Sequence, residues 1–148
     1  MINGKVIMGR WIENWFSNFL PNDKPFIYQG MTFYTVENFF QAMKTLDIEE
    51  RKLIAAATPS KAKRLGRKVK LREDWEEKKL QVMEYALRIK FVPGTSWYTK
   101  LMATGNEEIV ELNNWNDVYW GRTLDGRGEN HLGKLLIKLR EEYKSNNE

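Results

Sequence analysis

The chain has no cysteine and a single histidine, His131, and this limits the ways in which it can be held together. Disulfide bonds, cysteine-ligated zinc and iron–sulfur clusters are excluded, and so is a zinc site with two histidines from one chain. The fold must therefore depend on apolar burial, for which 148 residues suffice. Apolar residues make up 42% and charged residues 30%, which is typical of a globular protein.

The sequence also predicts where the protein resides and which bound groups it does not need. The first ten residues contain no apolar run of signal-peptide length, and no later segment reaches the roughly 18 apolar residues of a membrane span. We predict a cytoplasmic protein without membrane association, cofactor or bound metal, although carboxylates alone are able to hold magnesium. No repeat or low-complexity linker interrupts the sequence, so a single domain over residues 1–148 is expected.

Hydrophobic periodicity and turn residues predict a helix-rich α+β fold with a small β-sheet. The predicted strands cover residues 6–8, 26–28, 31–34, 109–112 and 118–120, the second and third forming a hairpin around Gln29 and Gly30. Helices are predicted over residues 36–46, 73–91 and 97–103, after Asp47, from Pro59 and after Asn130. The predicted N-caps of four of these helices are Thr35, Asp47, Thr58 and Asn130.

Basic residues are unevenly distributed in a chain of net charge +4. Residues 61–72, called the basic segment below, contain seven lysines and arginines and no acidic residue. Such a segment attracts phosphate on a nucleotide or a nucleic acid. The alternative is a solvated helix face whose charge is balanced by the acidic residues at 73–77.

The first candidate site lies on the helix after the hairpin. Glu37, Gln41 and Lys44 are spaced i, i+4 and i+7, so they share one helix face. The opposite face carries phenylalanine and methionine, as in any amphipathic helix. A functional interpretation therefore requires that the polar face borders a pocket.

Two further segments carry chemically interesting residues. Asp117 lies among Trp115, Tyr119 and Trp120, and a carboxylate beside large rings suits a ligand made of a sugar and a base. The alternative is a strand with core tryptophans and a turn aspartate. The glycine-rich residues 126–133 enter a helix whose start could hold phosphate, but their spacing matches neither the phosphate loop nor the dinucleotide fingerprint.

Several short segments, taken in order, resemble the NADAR (YbiA-like) family. They run from about residue 16 to residue 140 and cover nearly the whole chain, and the ordered set is specific. The matching segments are 16–19, 35–37 with Gln41 and Lys44, Pro59, Ala62, 66–67, 72–75, 90–91, 104–105, Asp117, 120–121 and 128–133.

The resemblance implies an α+β fold and an enzyme that hydrolyses N-glycosidic bonds. Family members act on phosphorylated ribosylamino-pyrimidines of riboflavin biosynthesis, or remove ADP-ribose from modified nucleic-acid bases such as guanine. The family's functional glutamate, tryptophan and aspartate correspond to Glu37, Trp75 and Asp117. Beside the glutamate, Thr35 and Val36 replace the family's usual serine or tryptophan, which leaves the shape of the acceptor pocket open.

Cleavage of a sugar–nitrogen bond builds positive charge on the sugar ring, and a carboxylate stabilises that charge. We assign this role to Glu37, while Asp117 orients the ribose hydroxyls or acts as a second carboxylate. Lys44 either pairs with Glu37 or attacks the sugar as an amine. The predicted substrate-binding residues, among them rings to stack the base and arginines to bind phosphate, are Asn18, Phe19, Gln41, Arg67, Arg72, Trp75, Trp120 and Asn130.

The predicted partner is a small nucleotide-like substrate or an ADP-ribosylated nucleic acid. The main alternative function is a non-catalytic module that binds ADP-ribose, NAD or nucleic acid through the same basic and aromatic surface. Release of sugar from a ribosylated base distinguishes the two. A nucleic-acid binder would in addition lose affinity steeply as the salt concentration rises.

Overall fold

The computed structural model describes residues 5–8 and 16–147, and over these residues the chain forms five strands and six α-helices. In chain order they are β1 (Lys5–Met8), β2 (Phe26–Tyr28), β3 (Met31–Phe33), α1 (Val36–Ala42), α2 (Ile48–Ala55), α3 (Pro59–Gly66), α4 (Trp75–Lys90), α5 (Ser96–Met102), β4 (Glu108–Asn113), β5 (Arg122–Thr123) and α6 (His131–Asn146). The predicted helix-rich α+β class is confirmed. The chain divides into two compact units, one made of residues 1–17 and 96–148, the other of residues 18–95.

In the first unit, strand β4 is the middle of a three-stranded parallel sheet in the order β1-β4-β5. Val6 pairs with Ile109 on one side of β4, and Leu112 pairs with Arg122 on the other. Helix α6 packs on β4 because its apolar stripe, which includes Leu132, Leu136 and Leu139, is buried.

The predicted strand at residues 118–120 is wrong. Its three carbonyl oxygens accept N–H bonds from Glu129, His131 and Leu132 at 2.7, 3.0 and 3.0 Å. The segment is therefore hydrogen-bonded to the beginning of α6 and not to a neighbouring strand. The third strand of this sheet is instead β5, which pairs with β4 just after Gly121.

In the second unit, strands β2 and β3 form the predicted hairpin, with Phe26 opposite Phe33. Both turn residues, Gln29 and Gly30, have positive φ angles of 50° and 77°, as a two-residue hairpin turn requires. The hairpin packs its rings against Phe39 of α1 at centroid distances of 5.2–5.4 Å. Helices α2, α3 and α4 also pack on α1, so all seven of its residues are buried.

Three of the predicted helix caps are confirmed. The side chains of Thr35, Asp47 and Thr58 accept the N–H groups of the residues three positions later. The reciprocal half of a capping box is missing at Asp47, because the Glu50 carboxylate accepts the hydroxyl of Thr45 at 2.7 Å.

Helix α1 ends at Ala42, four residues before the predicted end at Leu46. The N–H groups of Lys44 and Thr45 turn back to Gln41 and Ala42, three residues earlier, which tightens and closes the helix. Among the described residues, no helix is both long enough and apolar enough to cross a membrane.

Candidate functional site

The candidate site of the second unit is built on α1, whose polar residues lie inside the protein. Glu37 is only 7% exposed and Gln41 only 4%. The polar face of this helix is therefore not a solvated surface, unlike that of an ordinary amphipathic helix. Because a carboxylate is costly to bury, its burial at this position indicates a function.

Glu37 is held by two neighbours. Gln41 donates its side-chain N–H to Glu37 Oε1 at 2.8 Å, and the backbone N–H of Glu37 donates to the carbonyl of Asn18 at 3.1 Å. Gly66 of α3 lies directly against the Gln41 amide, and a Cβ at that position would overlap Gln41 Oε1. The absence of a side chain at Gly66 thus gives Gln41 the space in which to orient the carboxylate.

Lys44 lies near Glu37, beyond the last turn of α1. Its Nζ is 5.6 Å from the centre of the Phe40 ring, and the edge of Trp75 packs on that same ring at 5.1 Å. Partial burial lowers the pKa of Lys44, the negative charge of Glu37 raises it, and the positive charges of Arg67 and Lys63 lower it again. These four charged groups therefore act on one another.

The basic segment covers most of α3 and the loop that follows it. Ala62 and Gly66 are buried, whereas most of the basic side chains are exposed. Within the described part of the chain, no acidic side chain forms an ion pair with Lys61, Arg64, Arg67, Lys68 or Lys70. Their charge is thus available to an external anion.

Arg72, in contrast to these five residues, forms an ion pair. Its guanidinium donates to both oxygens of Asp74 at 2.6 and 3.1 Å and to the carbonyl of Met43 at 3.4 Å. The hydrogen bond to Asp74 raises the pKa of Arg72. The expected balancing of the segment by later acidic residues is therefore seen at this arginine, whose predicted role in phosphate binding stays a prediction.

Two of the predicted substrate-binding residues in the second unit, Trp75 and Phe19, are aromatic. Trp75 is buried, with 5% exposure, whereas Phe19 is 36% exposed and lies 5.8 Å beneath the ammonium group of Lys63. Neither Lys63 as a single residue nor Phe40 was predicted from the sequence to belong to the site. The signal for Phe40 was its i, i+4 spacing from Lys44, which places a ring beneath an ammonium group.

Asp117, Trp120 and Asn130 lie in the other unit. Asp117 Oδ1 accepts the backbone N–H groups of Tyr119 and Trp120 at 3.1 and 2.9 Å. The side chain of Asn113 binds both the N–H and the carbonyl of Asp117 at 2.9 Å. Asp117 thus organises a turn, as part of the alternative interpretation stated, but the segment forms no strand and Trp115 is exposed. The catalytic role of Asp117 stays a prediction.

Asn130 has a structural task that the sequence did not reveal. It occupies the N-cap position of α6, with a left-handed φ of 56°, but its side chain forms no capping bond. The amide instead donates to the carbonyl of Ile109 and accepts the N–H of Glu111, both at 2.9 Å. The N–H groups of residues 129–132 already bind the carbonyls of residues 118–121, so the beginning of α6 has no free anion site there.

Among the described residues, no three side chains of histidine, aspartate or glutamate are grouped in a way that would hold a metal ion. The chemistry that the second unit offers is that of a buried carboxylate, an amine of lowered pKa and several unpaired cations.

Comparison with known proteins adds a family to this geometry. The model of the NADAR domain matches residues 8–144. N-glycosidase YbiA of Escherichia coli (strain K12) is 42% identical over 130 residues, which are 86% of this chain and 79% of that protein. Riboflavin biosynthesis protein VVA0006 of Vibrio vulnificus is 34% identical over 76% of this chain and 31% of its own length. The NMR structure of E. coli YbiA superposes with a TM-score of 0.81 at 37% identity, covering 97% of this chain and 88% of that one.

Proposed function

This chain belongs to the NADAR domain family and is an N-glycosidase, and we propose that the bond it hydrolyses joins a ribose-type sugar to a nitrogen base. The observation that carries the proposal is the burial of Glu37, whose carboxylate accepts a hydrogen bond from Gln41 in the electrostatic field of Lys44. We further propose that the enzyme acts in the cytoplasm.

The proposed role of Glu37 follows from how a sugar–nitrogen bond breaks. As the base departs with the bonding electrons, the ring carbon and oxygen share a positive charge. A carboxylate held rigidly next to that ring stabilises the charge, and it can also remove a proton from the attacking water. Gln41 fixes the orientation of Glu37, since one of its N–H groups binds Oε1.

Lys44 offers a second route through the same site. Its lowered pKa enlarges the fraction of neutral amine, which is nucleophilic. In that route the amine forms a bond to the sugar carbon while the bond to the base breaks and the base leaves with a proton. The ring then opens to a Schiff base, which water hydrolyses to release the sugar and restore Lys44. Reduction with borohydride would trap this intermediate as a covalent adduct, whereas the carboxylate route leaves nothing to trap.

The unpaired cations suit a phosphorylated substrate. Arg67 is exposed, has no ion-pair partner among the described residues and is close enough to influence Lys44. We propose that Arg67, with the other basic side chains of α3, binds the substrate's phosphate. Two substrates have this chemistry: a phosphorylated ribosylamino-pyrimidine, which the name of the Vibrio relative favours, and ADP-ribose attached to guanine.

The test is a hydrolysis assay with both substrates side by side. We expect wild-type protein to release sugar from one of them and Glu37→Gln to reduce the rate by about 10²–10⁴-fold. The matched control is Glu49→Gln, because the Glu49 side chain is 81% exposed and forms only a surface ion pair with Lys52. Full activity of Glu37→Gln would remove this carboxylate from the mechanism, and no release from either substrate would refute both proposed substrates.

A further inference from the structure

Arg51 of α2 is a buried cation that the proposed mechanism does not use. It is 5% exposed, and no carboxylate in the described part of the chain forms an ion pair with it. Burial therefore lowers the pKa of Arg51. Its guanidinium donates to the carbonyl of Thr45 at 2.8 Å and to Gln29 Oε1 at 2.7 Å. Because a buried charge without a counter-ion is costly, what these two bonds hold in place calls for an explanation.

Thr45 is the last of the three residues that follow α1, and Lys44 is the middle one. The carbonyl oxygens of all three accept hydrogen bonds from outside α1. Arg51 binds the carbonyl of Thr45, and Arg72 binds the other two, that of Lys44 through its main-chain N–H at 2.8 Å and that of Met43 through its guanidinium at 3.4 Å. Carbonyls at the end of a helix have no partner within it, and nearby cations stabilise the negative end of the helix dipole.

The direction in which Lys44 projects is not fixed by α1 itself. The helix ends at Ala42, and the N–H of Lys44 turns back to the carbonyl of Gln41. The Lys44 amine nevertheless has a defined place over the Phe40 ring. Its position therefore depends on the contacts that hold the residues after α1 from outside the helix.

We propose that Arg51 and Arg72 are positioning residues, which hold the main chain around Lys44 so that its amine lies next to Glu37. The inference rests on the proposed function, in which that amine and the carboxylate act on the sugar of the substrate. Arg51 belongs to α2 and Arg72 to the loop before α4, so two neighbouring elements together determine where the end of α1 points.

The two arginines act through the main chain and not through their charges. The nearby charges that change the pKa of Lys44 are those of Glu37, Arg67 and Lys63. A substitution that keeps the charge of either arginine but removes its hydrogen bonds should therefore still displace the Lys44 amine.

For Arg72, positioning is an alternative to phosphate binding. Its Nε and Nη2 donate to the two oxygens of Asp74, and its Nη1 donates to Met43. All the nitrogens of this guanidinium are thus engaged within the protein. A positioning residue affects kcat, whereas loss of a phosphate-binding residue raises KM.

Arg51→Lys and Arg72→Lys test the inference, because lysine keeps the charge but has no planar fork of donors. In the hydrolysis assay we expect kcat to fall about tenfold in each variant, since a misplaced reacting group slows the chemical step, while KM stays close to that of wild type. The matched control is Arg127→Lys, because the exposed Arg127 forms a surface ion pair with Asp125. This control should keep both kinetic constants.

A second measurement requires no turnover. NMR titration of protein carrying ¹³C at lysine Cε gives the pKa of Lys44, whose signal is assigned by its absence in Lys44→Met. We expect this pKa to rise towards the usual 10.5 in Arg51→Lys and Arg72→Lys, because a displaced ammonium group is better hydrated. A purely structural role of the arginines predicts a lower urea midpoint with an unchanged Lys44 pKa in the folded protein.

An unchanged Lys44 pKa or an unchanged kcat in either folded variant would overturn the inference, and a raised KM with unchanged kcat in Arg72→Lys would assign that residue to phosphate binding instead. Should Arg51→Lys fail to fold, Arg72→Lys, at a half-buried position, decides alone. If wild-type protein hydrolyses neither proposed substrate, the proposed function is refuted. The Lys44 pKa in the two variants then still decides whether the arginines hold Lys44 in place.

Discussion

At the scale of residues, the lowered pKa that favours Lys44 as a nucleophile also reduces the stability of the fold. Burial disfavours the ammonium form, and the nearby charges of Arg67 and Lys63 add to this effect, whereas Glu37 offsets only part of it. The folded protein therefore binds this proton less tightly than the unfolded chain does. Lys44 therefore lowers the free energy of unfolding at every pH below its lowered pKa. This loss becomes smaller as the pH rises from that pKa towards the usual value of 10.5.

Lys44→Met should consequently be more stable than wild type at pH 7 and lose turnover by about 100-fold or more. The methionine keeps an apolar stem over the Phe40 ring and removes the charge. Urea midpoints at pH 7 and pH 10 check the first expectation, and the gain should be smaller at pH 10, which lies close to the usual lysine pKa of 10.5. Lys24→Met, at an exposed position outside the basic segment, should change neither stability nor turnover. A lower urea midpoint for Lys44→Met at pH 7 would contradict the argument.

At the scale of elements, the side-chain amide of Asn130 hydrogen-bonds the beginning of α6 to β4. Asn130 bridges the carbonyl of Ile109 and the N–H of Glu111, and Gly133, one turn further along α6, lies so close that a Cβ would overlap the Ile109 oxygen. The Asn130 side chain and the close approach of Gly133 thus add to the apolar packing of α6 on β4, at the point where α6 begins.

Asn130→Ala should lower the free energy of unfolding by about 3–5 kcal/mol. The buried carbonyl of Ile109 and the N–H of half-buried Glu111 would lose their partner, and alanine tolerates the left-handed conformation less well than asparagine does. Denaturant unfolding measures the loss, with Asn114→Ala at an exposed position as the control. If Asn130→Ala instead kept full stability and only the Michaelis constant rose, the residue would bind substrate, as the sequence analysis predicted.

At the scale of the molecule, a net charge of +4 is concentrated in the basic segment. A local excess of positive charge speeds the encounter with a phosphorylated substrate, and salt screens it. We expect Lys61→Glu with Lys68→Glu to lower kcat/KM about tenfold and to weaken its dependence on salt. Lys24→Glu with Lys138→Glu changes the net charge equally outside the segment and should have a smaller effect. Equal losses in the two double variants would show that only the net charge matters.

Several features of this protein were predictable from the sequence because they depend on near neighbours. The turn at Gln29 and Gly30 and the caps at Thr35, Asp47 and Thr58 involve partners within a few residues. The helix-rich α+β class also followed from hydrophobic periodicity, which reflects local geometry. The ordered family segments predicted an N-glycosidase, since together they span nearly the whole chain and match one family.

Other features were decided by tertiary structure, because they depend on residues far apart in the chain. The spacing of Glu37, Gln41 and Lys44 predicts a shared polar face, but the helices packed around α1 determine that the first two of these side chains are buried. Asn130 has the sequence signature of a helix cap, yet its partners lie 19 and 21 residues away on β4. A side chain forms the bonds that its folded surroundings leave unsatisfied, and local sequence does not specify those surroundings.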